Sequence, residues 1–190
     1  MDISDFIAIG VPIVLILYAI LIYNRLVSLK HNVSQAWSNI DVLLKQRHDE
    51  LPKLVETCRQ YMKYEGETLE RVMRARTQVA QAQATGNINA LGGAETGLRS
   101  GLLNLFAVAE DYPELKANEQ FQHLQARITG LENAIADRRE FYNESVNRNN
   151  VRIEQFPDLL IARWLGFGEK ELLEFTEEET RDVNLRALFG

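Results

Sequence analysis

The chain has one cysteine, Cys58, among its 190 residues. No intramolecular disulfide can form, and no cysteine-based zinc cluster can be built. Histidine is nearly as scarce: His31, His48 and His123 are the full set. None sits in an H-E-x-x-H pattern. Glu119 and His123 are four apart, whereas a di-iron bundle uses Glu-x-x-His, a spacing of three, on two helices. The expectation is therefore no metal and no cofactor. No G-x-x-x-x-G-K-[ST] phosphate loop is present. A net charge of −6 leaves no broad positive field for nucleic acid. No useful length alternates apolar and polar residues, so no sheet is expected. Catalytic triads converge in space and leave no fixed spacing. Nothing in the sequence favours one, so the chain is expected to be no enzyme and to hold no catalytic residues.

Charge is wholly missing from residues 6–23. About 18 helical residues rise ~27 Å, close to the roughly 30 Å hydrocarbon thickness of a bilayer. A helix satisfies its own backbone hydrogen bonds and so can cross lipid. The expected anchor residues are Phe6, Ile7, Ile9, Val11, Pro12, Ile13, Val14, Leu15, Ile16, Leu17, Tyr18, Ile20, Leu21, Ile22 and Tyr23. A cleaved signal peptide would start basic and end at a small-residue site. This stretch starts with Asp2 and Asp5 and ends at Tyr23, Asn24, Arg25 and Leu26. Arg25, Lys30, Lys45 and Arg47 follow it, and no Lys or Arg precedes it. The positive-inside rule places the rest of the chain in the cytoplasm.

Beyond the anchor, apolar residues recur at helical spacing. Trp37, Leu44, Leu51 and Cys58 share one heptad position, and Ile40, Leu54 and Tyr61 share its partner. Val72, Ala75, Val79 and Ala82 continue the series. The favoured reading is one rod from the membrane to about Thr85, bent at Pro52, with a reversal near Gly66 as the alternative. A continuous rod would be roughly 90 Å long. Residues 85–97, with Gly86, Gly92, Gly93 and Gly97, read as a loop. A shorter helix follows to Tyr112-Pro113. The next helix, about 114–149, has the cleanest stripe: Phe121, Ile128, Ile135 and Tyr142 with Leu124 and Leu131.

Arg47 and Glu65 interrupt the first stripe, and Arg138 falls on the inner position of the last. With Tyr142 and Asn143 they form a candidate buried polar network that fixes helix register. The alternative is a recognition surface for an acidic partner or a lipid head group. Apolar residues then crowd 153–167, where Pro157 suits a helix start and Gly166 an end. That segment caps the bundle, touches the membrane surface or binds a neighbour. An acidic tail follows. Phe156, Trp164, Phe167, Leu172, Phe175, Leu188 and Phe189 are the candidate interaction residues.

Several ordered pieces resemble the LemA family of bacterial membrane proteins. They include Asn24 to Val27, Ala36 to Arg47, Leu51 to Glu56, Ala75-Arg76, Glu132 to Ala136, Arg138-Arg139, Tyr142-Asn143, Asn149-Asn150 and Phe156-Pro157. The combination in this order is specific. The resemblance covers nearly the whole length and weakens beyond Phe167. It implies one transmembrane helix, a four-helix antiparallel bundle and no established enzymatic activity. It also implies, as a partner, a TPM-domain membrane protein or an envelope-stress factor.

The expected architecture is all-α: a transmembrane helix continuing into a long-helix antiparallel bundle. The expected divisions are an anchor over 1–24, the bundle over 25–167 and an acidic tail over 168–190. The expected role is a non-enzymatic single-pass scaffold in the cell inner membrane. It self-assembles as a homo-oligomer on the lipid bilayer and organises envelope proteins or the membrane. The alternative is an accessory subunit that binds one membrane protein or protease through its C-terminal segment.

Overall fold

A computed structural model describes residues 3–174, with side chains from Ile7 onward. Among the described residues all regular structure is helical: α1 (Ile3–Tyr61), α2 (Gly66–Thr85), α3 (Ile88–Ala109), α4 (Pro113–Lys116), α5 (Glu119–Glu154) and α6 (Asp158–Leu165). They fall into two compact units. One lies within Met1–Asn39 and Glu140–Leu172, the other within Ile40–Arg139 and Leu173–Gly190. These units do not separate at residues 24 and 167, because α1 and α5 each contribute to both.

In the first unit, Ile22 and Leu26 of α1 are buried with Ile153 and Ala162, and Ile161 and Phe167 pack against them. Asn149 and Asn150 of α5 hold the strand-like exit after α6. The Asn150 side chain accepts from the Lys170 N–H at 2.9 Å and donates to the Lys170 carbonyl at 2.8 Å. Gly166, at φ +72°, ends α6 in the left-handed conformation that glycine adopts without a Cβ clash.

In the second unit, α1 does not continue as a rod to Thr85. It stops at Tyr61, and α2 begins afresh at Gly66. Gln83 of α2 donates to Asp41 at 2.6 Å and Arg76 donates to the His48 carbonyl at 2.9 Å. The pairs Asp41–Gln83 and His48–Arg76 run in opposite senses along the two helices, so the reversal near Gly66 is the reading that holds. Heptad phase did not reveal the stop, because both helices put their apolar stripes toward the same core and the phase carries across the turn.

The Gly-rich stretch is helix rather than loop, and this corrects the reading of residues 85–97. The whole connection is Gly86 and Asn87. Gly86, at φ +65°, closes α2, and the Asn87 side chain accepts from the Ala90 N–H at 2.9 Å to cap α3. Of the later glycines, Gly92 serves close packing. A Cβ on Gly92 would lie 2.8 Å from the Glu174 carbonyl oxygen, and Leu173 beside it is fully buried. Gly92→Ala should therefore lift residues 173–174 off α3. Overpacking of this kind costs about 1–3 kcal/mol, so amide exchange there should quicken by roughly tenfold or more. Gly93→Ala, which meets nothing within 4 Å, is the control. Equal exchange in both variants would show that Gly92 is not what seats the segment.

Candidate functional site

Arg47 is the largest side chain that is fully buried, at 1% exposure. α1 places it one turn before Leu51 on the inner stripe. Its guanidinium forms an ion pair with Glu95 of α3, itself 3% exposed, and a second with Glu132 of α5 at 2.7 Å. Burial alone would weaken the hold of Arg47 on its proton. The two carboxylates outweigh that and keep its pKa above the ordinary arginine value. Glu132 retains some exposure, which eases the cost of two acids facing one base.

One turn away, Pro52 removes the N–H that would bond the His48 carbonyl. α1 nevertheless runs on through it. The orphaned carbonyl takes a hydrogen bond from the Arg76 Nε instead. Burial, followed by the Arg76 charge, holds the His48 imidazole below its usual pKa. Cys58, buried on the same stripe, has its thiol pushed up to about 12 by burial. It is a core residue with no thiolate character for nucleophilic chemistry. Among the described residues, no three of His, Cys, Asp and Glu gather at metal-binding reach.

The other members of the expected network have different partners. Glu65 is half-buried and faces the Tyr112 hydroxyl at 3.4 Å. Arg138 is exposed and its neighbour Arg139 is buried, with a guanidinium N–H 3.5 Å from the Glu174 carbonyl. The cause is geometric: a straight helix drifts about 20° per heptad from a 3.5-residue repeat. By the third heptad of α5 the inward position has moved on by one residue. Tyr142 packs on Trp37 at 5.7 Å and donates to the Glu171 carbonyl at 3.0 Å. Asn143 is half-buried.

The apolar segment of α1 is long enough and apolar enough to cross a membrane. Ile7, Ile9, Val11, Pro12, Ile13, Val14, Leu15, Ile16, Leu17, Tyr18, Ile20, Leu21 and Tyr23 are all exposed. Ile22 is the exception, covered by the core under α6; the Phe6 side chain lies outside the described residues. Of the candidate interaction residues, Phe156 and Trp164 are 80% and 84% exposed. Phe167 instead meets Tyr23 edge-on at 6.1 Å. Leu172 is exposed and Leu173 is buried. Phe175, Leu188 and Phe189 lie outside the described residues.

Sequence reasoning gave no role to the acids Glu50, Glu95, Glu132 and Asp158, which the fold buries or half-buries. Glu95 falls on the stripe of Leu91, Leu98, Leu102 and Leu105 once α3 is allowed to start at Ile88. That register was the available signal. Asp158 is buried and ion-paired with Arg152.

A family model described as LemA family matches residues 36–186. Magnetosome proteins MamQ 2 and MamQ 1 of Paramagnetospirillum magneticum are each 25% identical over 175 residues, covering 80% of this chain and 64% of theirs. Magnetosome protein MamQ of Magnetospirillum gryphiswaldense is 24% identical over 172 residues, covering 78% of this chain and 63% of its own. The chain thus spans less than two thirds of the length of these relatives.

Proposed function

The chain belongs to the LemA family, and from that premise we propose that it is a non-enzymatic, single-pass membrane scaffold. Its helices pack as an antiparallel bundle, self-associate, and organise envelope proteins or the membrane itself. One observation carries the reading: an uncharged, exposed apolar stretch runs without a break into a helix that buries one face, at Leu26, Val33 and Ala36, and exposes polar residues on the other. Surface of that kind is unstable in water and at home in lipid. The bilayer is the cell inner membrane, with the helical part in the cytoplasm, as the charge asymmetry about the span favours. The magnetosome in the relatives' names is a second setting for the same role. The buried Arg47 network is a device for register, not chemistry, since every ionisable group in it is committed to another.

Self-association is tested on the detergent-solubilised full chain by light scattering, with the detergent subtracted. A protein mass at least twice the 21.8 kDa of one chain is expected. A uniform monomer would sink the scaffold. It would favour the second reading, an accessory subunit that binds a membrane protein, such as one of the TPM-domain type, through its C-terminal segment. The observation behind that reading is the seat on α3, where Leu173 beside Gly92 fixes the point from which the acidic tail departs.

A further inference from the structure

The first unit presents a second membrane-facing feature beside the span. Its α6 packs on Ile22, one residue short of where the apolar run ends at Tyr23. Exposure alternates sharply around that contact. Ala162 is buried inward, while Leu160 and Trp164, four apart on the helix, are exposed at 60% and 84%. Phe156, four residues earlier, is exposed as well. Leu160 and Trp164 form an apolar ridge on α6, with exposed Phe156 just before the helix, and α6 packs near the end of the apolar run. Trp is favoured at the boundary between lipid and water because its ring is apolar and its N–H is wet. A short helix with an apolar outer ridge and Arg163 beside it suits the plane of the interface.

Next to this ridge lies a cleft of about 440 Å³. Tyr23 and Phe167, in edge-on contact, form its apolar wall. Lys30 of α1 and Lys170 beyond α6 supply its charge, with His31 and Asn149 as further polar groups. Among the described residues, no carboxylate lines it. The backbone of Lys170 is clamped by the two hydrogen bonds with Asn150, so part of the ordering cost is met before a ligand arrives. The height also agrees. Lys30 is seven residues beyond Tyr23, which is ~10 Å along the helix. The headgroup layer extends roughly 5–7 Å past the hydrocarbon, and a lysine stem reaches back across the difference.

We propose that this cleft takes the phosphate headgroup of an anionic phospholipid from the bilayer that α1 spans, while α6 lies in the interface with Leu160 and Trp164 among the upper acyl chains. The proposal rests on the anchor reading and adds a lipid-specific site to it. It is tested on the full chain in bilayer discs of phosphatidylcholine with and without phosphatidylglycerol. In a Trp37→Phe background, Trp164 is the remaining tryptophan. Its fluorescence should be quenched by lipids brominated near the top of the chain. Native mass spectrometry should find phosphatidylglycerol retained and phosphatidylcholine not. Each lysine near an anionic surface changes affinity by roughly five-fold. Lys30→Gln with Lys170→Gln should therefore lower phosphatidylglycerol retention by roughly tenfold or more. Lys63→Gln with Lys116→Gln, both exposed and away from the cleft, should leave it unchanged.

Equal retention in the two double variants would overturn the site. So would displacement of the lipid by millimolar inorganic phosphate, which would make a free ion the occupant. Unquenched Trp164 in protein that still resists carbonate extraction would overturn the interfacial placement and leave the anchor standing. Protein released by carbonate would remove the anchor and this inference together.

Discussion

Arg47→Ala should destabilise the protein by about 3–5 kcal/mol, the usual cost of stranding a charge in the interior. Glu95 is as buried as the arginine it pairs with. Without Arg47 it is left buried with no counter-charge, the costly case for an ionisable group in the interior. The truncation also leaves a cavity among Leu44, Leu51 and their neighbours, which adds to the loss. In a domain of this size each kcal/mol moves the melting temperature by roughly 2–4 °C, so a fall of about 6 °C or more is expected. Far-UV circular dichroism of the detergent-solubilised chain measures it. The informative companion is Arg47→Met with Glu95→Leu and Glu132→Gln. It removes the whole network and keeps its volume, and it should recover most of the stability. A triple variant as unstable as Arg47→Ala would mean that the loss comes from shape rather than from stranded charge. Glu132→Gln alone should cost less, since that carboxylate is partly hydrated already.

Leu15→Lys combined with Leu17→Lys should move the protein out of the membrane fraction. Both positions lie near the middle of the uncharged stretch, and both side chains are exposed. A charged residue at the centre of a spanning helix costs about 2.5–3.5 kcal/mol on insertion scales, so the pair costs about 5–7 kcal/mol. Snorkelling offers little relief that far from either edge. Alkaline carbonate extraction reads the result: the parent stays in the pellet and the double variant leaves it. Leu103→Lys, at an equally exposed leucine on α3, is the matched control and should stay with the membrane. If the doubly substituted chain were retained as firmly as its parent, the segment would not be the anchor.

How far the sequence carried the reading depended on the range over which each feature is decided. The apolar, exposed character of residues 7–21 is a local property. A run with no charge and no polar face needs no distant residue to explain it, and it was legible at once. The stripe of α5 from Phe121 to Ile135 was legible for the same reason, since helical spacing alone sorts inner from outer residues. Drift of that spacing then misplaced Arg138 against Arg139, because a heptad template holds only for a few turns. Composition misled at 85–97: glycines that signal a loop in isolation lie within α3, where Gly92 is the surface against which Glu174 comes close.

What the chain alone determined is polarity: an uncharged apolar first stretch, then long helices with an apolar stripe on one side and polar residues on the other. That follows because apolar periodicity is written residue by residue. Only the tertiary structure decided the partners. Arg47 meets Glu95 and Glu132 across 48 and 85 residues, the His48 carbonyl freed by Pro52 is claimed by Arg76, and Leu173 returns to Gly92. Periodicity reports which face of a helix turns inward and is silent on what stands opposite, so pairings made by chain reversal become visible only once the helices have packed.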